Sequence, residues 1–373
     1  MPRALRFLVI AEGQFGPLTS KTASSCIRYT PERVAAVIDS RRAGRTSQDV
    51  LGFGGDIPVV ATVAEGLERK PTALLIGVAP QGGKLPDEWR AMILAAIDAG
   101  LEVWSGLHTF IGADPEFAAR AEKRKVEIHD LRRPPDNLTV AMGRVRKLDA
   151  TVVLTVGTDC NIGKMTSALQ IRDGLKARDR DVRFAGTGQT GILIEGWGTA
   201  VDAVIADFVA GAAERLVLDA SKGADIVLVE GQGSIIHPGY SGVTVGLMHG
   251  SLPNAMVMCA QPSRLHIGNN PWIKIPPLPE LIRMHEMLVQ HLRPAPVIAV
   301  SLNTYDLSVR AARTAIAKTR RQTGLPTTDP VRFDAEPVVE AIDAFHRKRV
   351  RSLARRADAE DSAPTRRAAA KRK

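Results

Sequence analysis

"TVVLTVGTDCNIGKMTSALQ", Thr151 to Gln170, is the stretch on which the reading of this chain turns. Its first six residues are an apolar, β-branched run suited to a buried strand, and Lys164 onward has the composition of a helix. Between them lies "GTDCNIG", residues 157 to 163. Strand, glycine-bounded loop and helix opening on a lysine is the context of a phosphate-binding loop. Glycines let backbone N–H groups turn toward an anion, the helix N-terminus adds partial positive charge, and Lys164 adds a full one. The loop departs from the ordinary pattern in one place. Where Gly-Lys is normally followed by Ser or Thr, this chain has Met165 and only then Thr166, and a thioether does not hold magnesium. Three readings stay open: a site that hydrolyses a nucleotide, a site that holds a phosphate without cleaving it, and a glycine-rich turn with no ligand. The loop candidates are Gly157, Thr158, Asp159, Cys160, Asn161, Gly163, Lys164, Met165 and Thr166.

Outward from the loop, strand-like and helix-like segments alternate, the pattern of parallel sheets covered on both faces. On the N-terminal side "FLVIA", "AAVID", "TALLIGVA" and "EVWSGL" read as strands, and "DEWRAMILAAIDAG" as a helix closed by glycine. On the C-terminal side "VRFAG", "ADIVLVEG", "AMVMCA" and "PVIAVSL" read as strands, with helices such as "DFVAGAAERLVLDAS" and "PELIRMHEMLVQHL" between them. The expected fold is α/β: a Rossmann-like domain over 1–140, a P-loop NTPase-like doubly wound domain over 141–346, and a basic tail over 347–373. The Pro-containing, mixed-charge segment from Pro135 to Asp149 supplies the boundary.

With 373 residues and 45% hydrophobic content, the chain can bury two cores. The apolar run near the N-terminus is too short for a signal core or a membrane span, which predicts a cytoplasmic protein without membrane contact. Cys26, Cys160 and Cys259 show no Cys-x-x-Cys spacing, so reduced thiols are expected rather than a metal or disulfide framework. The net charge of +10 sits mostly in the tail, where eleven Lys and Arg face three acidic residues from Arg347 onward. The body has no interleaving of basic and aromatic residues, so nucleic acid is not an expected partner. The tail lacks large apolar residues in "RRADAEDSAPTRRAAAKRK" and reads as disordered.

"GTDCNIGK" resembles the loop of dethiobiotin synthetase and its amidoligase relatives, and "VEGQGS", Val229 to Ser234, resembles their Val-Glu-Gly-x-Gly element. That resemblance implies that Glu230 faces the ligand and that Met165 replaces their magnesium-binding hydroxyl. A wider set, "GTDCNIGKMT", "GTGQTGILIEG", "VEGQGSIIHPGYSGVT" and "LMHGSLPNAMVMCAQPSR", resembles a family long catalogued as a domain of unknown function, over residues 5 to about 345. Its members include D-glutamate N-acetyltransferases. The resemblance implies acetyl-CoA as co-substrate, no required metal, the amine of a D-amino acid as acceptor in D-amino-acid catabolism, small-molecule partners and a homo-oligomer. Coenzyme phosphates need cradling and no cleavage, which fits a loop with Lys164 and without a magnesium hydroxyl.

Amide formation from a thioester requires a neutral amine and stabilisation of the developing oxyanion. Glu230, His237 and His249, each beside glycines near strand ends, are the candidate bases, His237 first because imidazole as a class titrates near neutrality. Gln189 and Thr190 in "GTGQTG" are candidate substrate donors, and Arg264 and Lys274, bracketing "LHIGNNPWI", candidate partners for carboxylates. Cys160 reads as a small loop residue, and "GVAPQGGKLP" with Gly82, Gly83 and Lys84 as a second anion-binding turn. Two other classes compete. One is an ATP-dependent kinase or carboxylate-amine ligase with Thr166, Asp159 and Glu230 around magnesium. The other is a nucleotide-binding module without turnover.

Overall fold

The computed structural model describes residues 5–17, 19–78 and 85–361. The turn expected at Gly82, Gly83 and Lys84 lies outside the described residues. Two compact units form: Met1–Leu138 with Gly186–Ile205, and Thr139–Ala185 with Ala206–Lys373. Within the 141–346 range expected of the P-loop part, Gly186–Ile205 packs with the first unit.

In the first unit the chain runs β1 (Phe7–Ile10), α1 (Lys21–Tyr29), β2 (Val34–Ile38), α2 (Ser47–Leu51), β3 (Val59–Val60), α3 (Val63–Leu67), β4 (Ala73–Ile76), α4 (Asp87–Asp98), β5 (Glu102–Ser105), α5 (Pro115–Arg124) and β6 (Ile128–Asp130). The strands pair in parallel in the order β3-β2-β1-β4-β5-β6, which is the Rossmann order. β1, β2 and β4 are buried at every position, as unbroken apolar runs in a sheet covered on both faces must be. Phe7, Leu8, Trp89 and Phe117 anchor the core. Asp114 starts α5 by accepting from Glu116 N at 3.0 Å ahead of Pro115, and the helix stops at Lys125 in the left-handed region.

The second unit opens on β7 (Thr151–Gly157), α6 (Lys164–Lys176) and β8 (Val182–Ala185); α7 (Gln189–Glu195) then belongs to the first unit. There follow α8 (Val209–Ala220), β9 (Ile226–Val229), α9 (Ser241–Ser251), β10 (Ala255–Ala260), a hairpin of β11 (His266–Ile267) and β12 (Asn270–Lys274), α10 (Leu278–Val289), β13 (Val297–Leu302), α11 (Val309–Thr323), β14 (Thr327–Thr328) and α12 (Glu336–Asp361). The parallel sheet has the order β14-β13-β10-β7-β9-β8. β7 is therefore central, flanked by β10 and β9, and its loop opens at the carboxyl edge where such sheets place ligands.

The boundary segment is tied down rather than loose. Glu214, fully buried on α8, accepts from Met142 N at 3.1 Å, from Arg144 N at 2.6 Å and from the Arg144 guanidinium at 2.9 Å. Those bonds and the guanidinium hold its carboxyl below the usual range against the opposing effect of burial. The start of the expected disordered tail is also ordered. Val338, Val339 and Ile342 of α12 pack into the core with Val153, Ile171 and Leu175. Arg347 then pairs with Asp343 at 2.5 Å and Glu340 at 2.9 Å along the same helix. Helix carries on to Asp361 because these side-chain pairs extend a turn nucleated by the buried face. Residues 362–373 lie outside the described residues.

Candidate active site at the loop after β7

Thr158 N donates to Cys259 O at 3.1 Å, carrying the β7–β10 ladder one residue beyond the strand before the loop turns. Asn161 and Gly163 take φ of 53° and 103°. The second lies where only glycine is comfortable, and it caps α6 with no side-chain hydrogen bond, leaving that helix's first N–H groups to the loop's interior. Lys164 is 6% exposed, with its Nζ donating to Asp159 O at 2.7 Å. A Cβ on Gly231 would stand 1.7 Å from Thr155 O and 3.0 Å from Lys164 Cδ, so glycine there is what makes room for the lysine stem. Met165 is buried at 3% exposure. The position that ordinarily carries the magnesium hydroxyl is thus spent on the core, and Thr166 beyond it is half-buried.

Asp159 is buried and saturated. Its Oδ1 accepts from Cys160 N at 2.7 Å, and its Oδ2 accepts from Arg264 Nη1 and from Gly268 N, both at 2.9 Å. Arg264 Nη1 also donates to Cys160 O at 2.9 Å. The carboxylate therefore pins the β11–β12 segment onto the loop instead of facing a ligand. The same bonds give Arg264 a partner inside the loop.

The turn after β9 reaches the same place. Glu230 is 2% exposed and its N–H donates to Ala185 O at 3.1 Å, while Gly231 N donates to Thr155 Oγ1 at 2.9 Å. Ser234 Oγ donates to Thr158 O at 3.1 Å, and His237 N donates to Ser234 O at 3.0 Å. His237 is buried, stacked on Tyr240 with ring centroids 4.6 Å apart, and its Nδ1 accepts from Gly239 N at 3.1 Å. With Nδ1 so engaged, the neutral ring carries its proton on Nε2 and offers a donor. Polar atoms of Asp159, Cys160 and His237 all lie within 4.8 Å of one another.

Other candidates stand elsewhere. His249 is near the end of α9, with Nε2 3.0 Å from Leu288 O. The chain enters β10 beside Val152, whose N–H donates to Asn254 Oδ1 at 2.8 Å, at the edge of the sheet opposite the loop. His249 thus ties α9 to α10. Gln189 Oε1 accepts from Arg132 Nη2 at 2.7 Å and Thr190 Oγ1 is 2.9 Å from Thr22 Oγ1, both within the first unit. Lys274 is exposed on β12. Sequence reading passed over Gly268 and Ser234. Ser234 stood within the quoted "VEGQGS"; Gly268 carried no local signal.

Among the described residues no helix is long and apolar enough to cross a membrane. Residues 139–339 match the model of a P-loop domain of unknown function (DUF1611, C-terminal part), and residues 40–134 match that of its Rossmann-like N-terminal partner. A D-glutamate N-acetyltransferase of Tritonibacter scottomollicae is 38% identical over 284 residues, 76% of this chain and 84% of the relative. One of the same name from a Pseudoalteromonas species is 34% identical over 279 residues, 74% and 83% respectively. The crystal structure of a DUF1611 family protein from Anabaena variabilis superposes with a TM-score of 0.87 at 40% identity, covering 91% of this chain and 99% of that one. The chain belongs to the DUF1611 family, built of a Rossmann-like and a P-loop domain.

Proposed function

We propose that this protein is an N-acetyltransferase that moves the acetyl group of acetyl-CoA to the amine of a D-amino acid, D-glutamate first, in D-amino-acid catabolism. The kinship to the two enzymes of that name supports the reaction class. The observation in the site that carries the reading is an anion cradle whose usual magnesium-hydroxyl position is taken by a methionine packed in the core. The N–H groups at α6, Gly163 and Lys164 are arranged to hold negative charge, while Met165 lies in the core and Asp159 is saturated. A loop with an apolar side chain at the usual magnesium-hydroxyl position suits acyl transfer and lacks a part that phosphoryl transfer uses. Glu230, buried in the turn after β9 whose Gly231 bonds Thr155 of β7, is the better candidate to take the proton of the substrate ammonium. His237, with Gly239 on Nδ1, is the better donor to a developing negative charge.

The test is direct. The protein is incubated with acetyl-CoA and each of a panel of D- and L-amino acids, and release of free coenzyme thiol is followed beside the acetylated product. Thiol release dependent on D-glutamate supports the reading. ADP formation from ATP with a small acid, and no acetyl transfer to any amine, would overturn it.

A further inference from the structure

The three cysteines differ sharply in their surroundings. Cys26 and Cys259 are buried, and burial raises each thiol to about 11, which makes both poor nucleophiles. Cys160 is partly exposed, in the loop that leads into α6. Its sulfur lies within 4.8 Å of a His237 ring nitrogen and of an Asp159 carboxylate oxygen. Two cations flank it along the backbone: Arg264 Nη1 donates to Cys160 O at 2.9 Å, and Lys164 Nζ donates to the preceding carbonyl at 2.7 Å. A partly exposed thiol beside an imidazole, in the loop at the opening of a helix, is the setting of a nucleophilic cysteine.

We propose that Cys160 is the first acyl acceptor, so that transfer runs through an acetyl-Cys160 thioester. This rests on the acetyltransferase reading and adds a covalent step to it. The Cys160 sulfur attacks the acetyl carbonyl carbon, and a bond forms between them as the bond from that carbon to the coenzyme sulfur breaks. The coenzyme leaves with the electron pair and takes up the proton that Cys160 gave up. The neutral amine of the amino acid then attacks the acetyl-Cys160 carbon. Its bond to sulfur breaks, Cys160 leaves with the electron pair, and the proton lost by the new amide nitrogen restores the thiol. One thioester replaces another in the first step, and conversion to an amide drives the second. The His237 ring, beside the sulfur, is the group assigned to handle the thiol's proton in each half-reaction.

The same geometry decides what the cradle holds. The pantetheine arm separates thioester from pyrophosphate by a dozen or so bonds, a span on the order of 15 Å when extended. A coenzyme whose pyrophosphate filled the loop would not set its acetyl group on Cys160. The loop N–H groups are therefore assigned to the acetyl oxygen, as donors to the oxyanion of each half-reaction.

Wild-type protein is mixed with acetyl-CoA in the absence of any amine. Its intact mass should rise by one acetyl group, mapped by peptide analysis to Cys160 and removed by hydroxylamine. Labelled coenzyme A should also exchange into acetyl-CoA without amino acid, and initial rates against both substrates should give parallel double-reciprocal lines. Cys160→Ala should lower transfer by roughly a thousandfold or more and abolish exchange, with an unchanged melting curve. Cys160→Ser, of nearly the same shape, guards against a folding defect: it should bind acetyl-CoA and show no exchange. Transfer to D-glutamate without an acetyl-enzyme, with intersecting lines and an active Cys160→Ala, would overturn the covalent step and leave the acetyltransferase reading standing. Absence of transfer to any amine by wild type overturns both.

Discussion

Arg264 Nη1 and Asp159 Oδ2 meet at 2.9 Å across 105 residues of sequence, and through that pair the β11–β12 segment is fastened to the loop after β7. The aspartate is buried and the arginine about three-quarters so. Each also bonds backbone of the other's segment: Asp159 accepts from Gly268 N, and Arg264 donates to Cys160 O. The loop's shape is thus held from outside as well as by its own glycines.

Removing the arginine leaves the Asp159 charge buried with only two backbone donors. Arg264→Ala should destabilise the second unit by about 2–3 kcal/mol, read as a lower urea midpoint. The exposed Lys274 offers the control: Lys274→Ala should stay within about 0.5 kcal/mol of wild type. Equal effects of the two would show that the Arg264 pair contributes no more than a surface charge.

Met165→Thr restores the order of an ordinary phosphate loop, yet the side chain points into the core. The variant should lose about 1–3 kcal/mol from burying a hydroxyl in place of a thioether, and gain no magnesium dependence. Wild-type acetyl transfer should persist in EDTA. Loss of activity in EDTA that magnesium restores would point to a metal ligand beyond this loop.

Much of this was readable in the sequence because the central strands leave one solution open. Runs such as "FLVI" and "TVVLTVG", buried on both faces, can serve only as interior strands of covered parallel sheets. The loop between β7 and α6 was equally plain, since glycines and lysine stand where backbone geometry demands them. The two-residue strands β3 and β14 and the Gly- and Asn-rich hairpin give no periodicity to read. That α7 joins the first unit depends on contacts such as Thr22 with Thr190, 168 residues apart, and the Asp159–Arg264 pair is of the same kind. The opening of the tail was misjudged for a different reason. Its residues are weakly apolar, but the helix begins upstream on a buried face and its charges pair at helical spacing.

His285 supplies a pH signature. It is fully buried on α10, its Nδ1 lies 2.8 Å from Leu281 O, and its Nε2 has no partner among the described residues. Burial pushes its pKa down to about 4 from 6.5. Between those values the unfolded chain binds a proton that the folded one refuses, so the stability linked to this group is present above about 6.5 and is lost as pH falls toward 4. The loss attributable to it approaches about 3 kcal/mol. Urea midpoints measured at pH 7.5 and 5 should converge more closely in His285→Leu than in wild type; identical pH slopes would mean that other groups carry the effect.

The last prediction separates the three candidate bases. His249 bonds a helix carbonyl at the edge of the sheet away from the loop, so His249→Ala should keep transfer within about threefold of wild type and cost only local stability. His237 lies beside Cys160 and Glu230 sits in the same turn after β9, and their loss should act on chemistry rather than on coenzyme affinity. Glu230→Gln keeps the shape and removes the proton acceptor, so kcat should fall by about a hundredfold where the wild-type base is ionised, and by less at lower pH where that base is itself protonated. His237→Ala removes a donor while leaving acceptors intact, which predicts a fall of similar size, about 2–4 kcal/mol in barrier. The pH profiles tell the two roles apart. A base lost from position 230 removes the acidic limb of the kcat/KM profile, whereas a donor lost from position 237 lowers the profile without changing its shape. If Glu230→Gln and His237→Ala both keep near-wild-type turnover with D-glutamate, the turn after β9 is not where the chemistry happens.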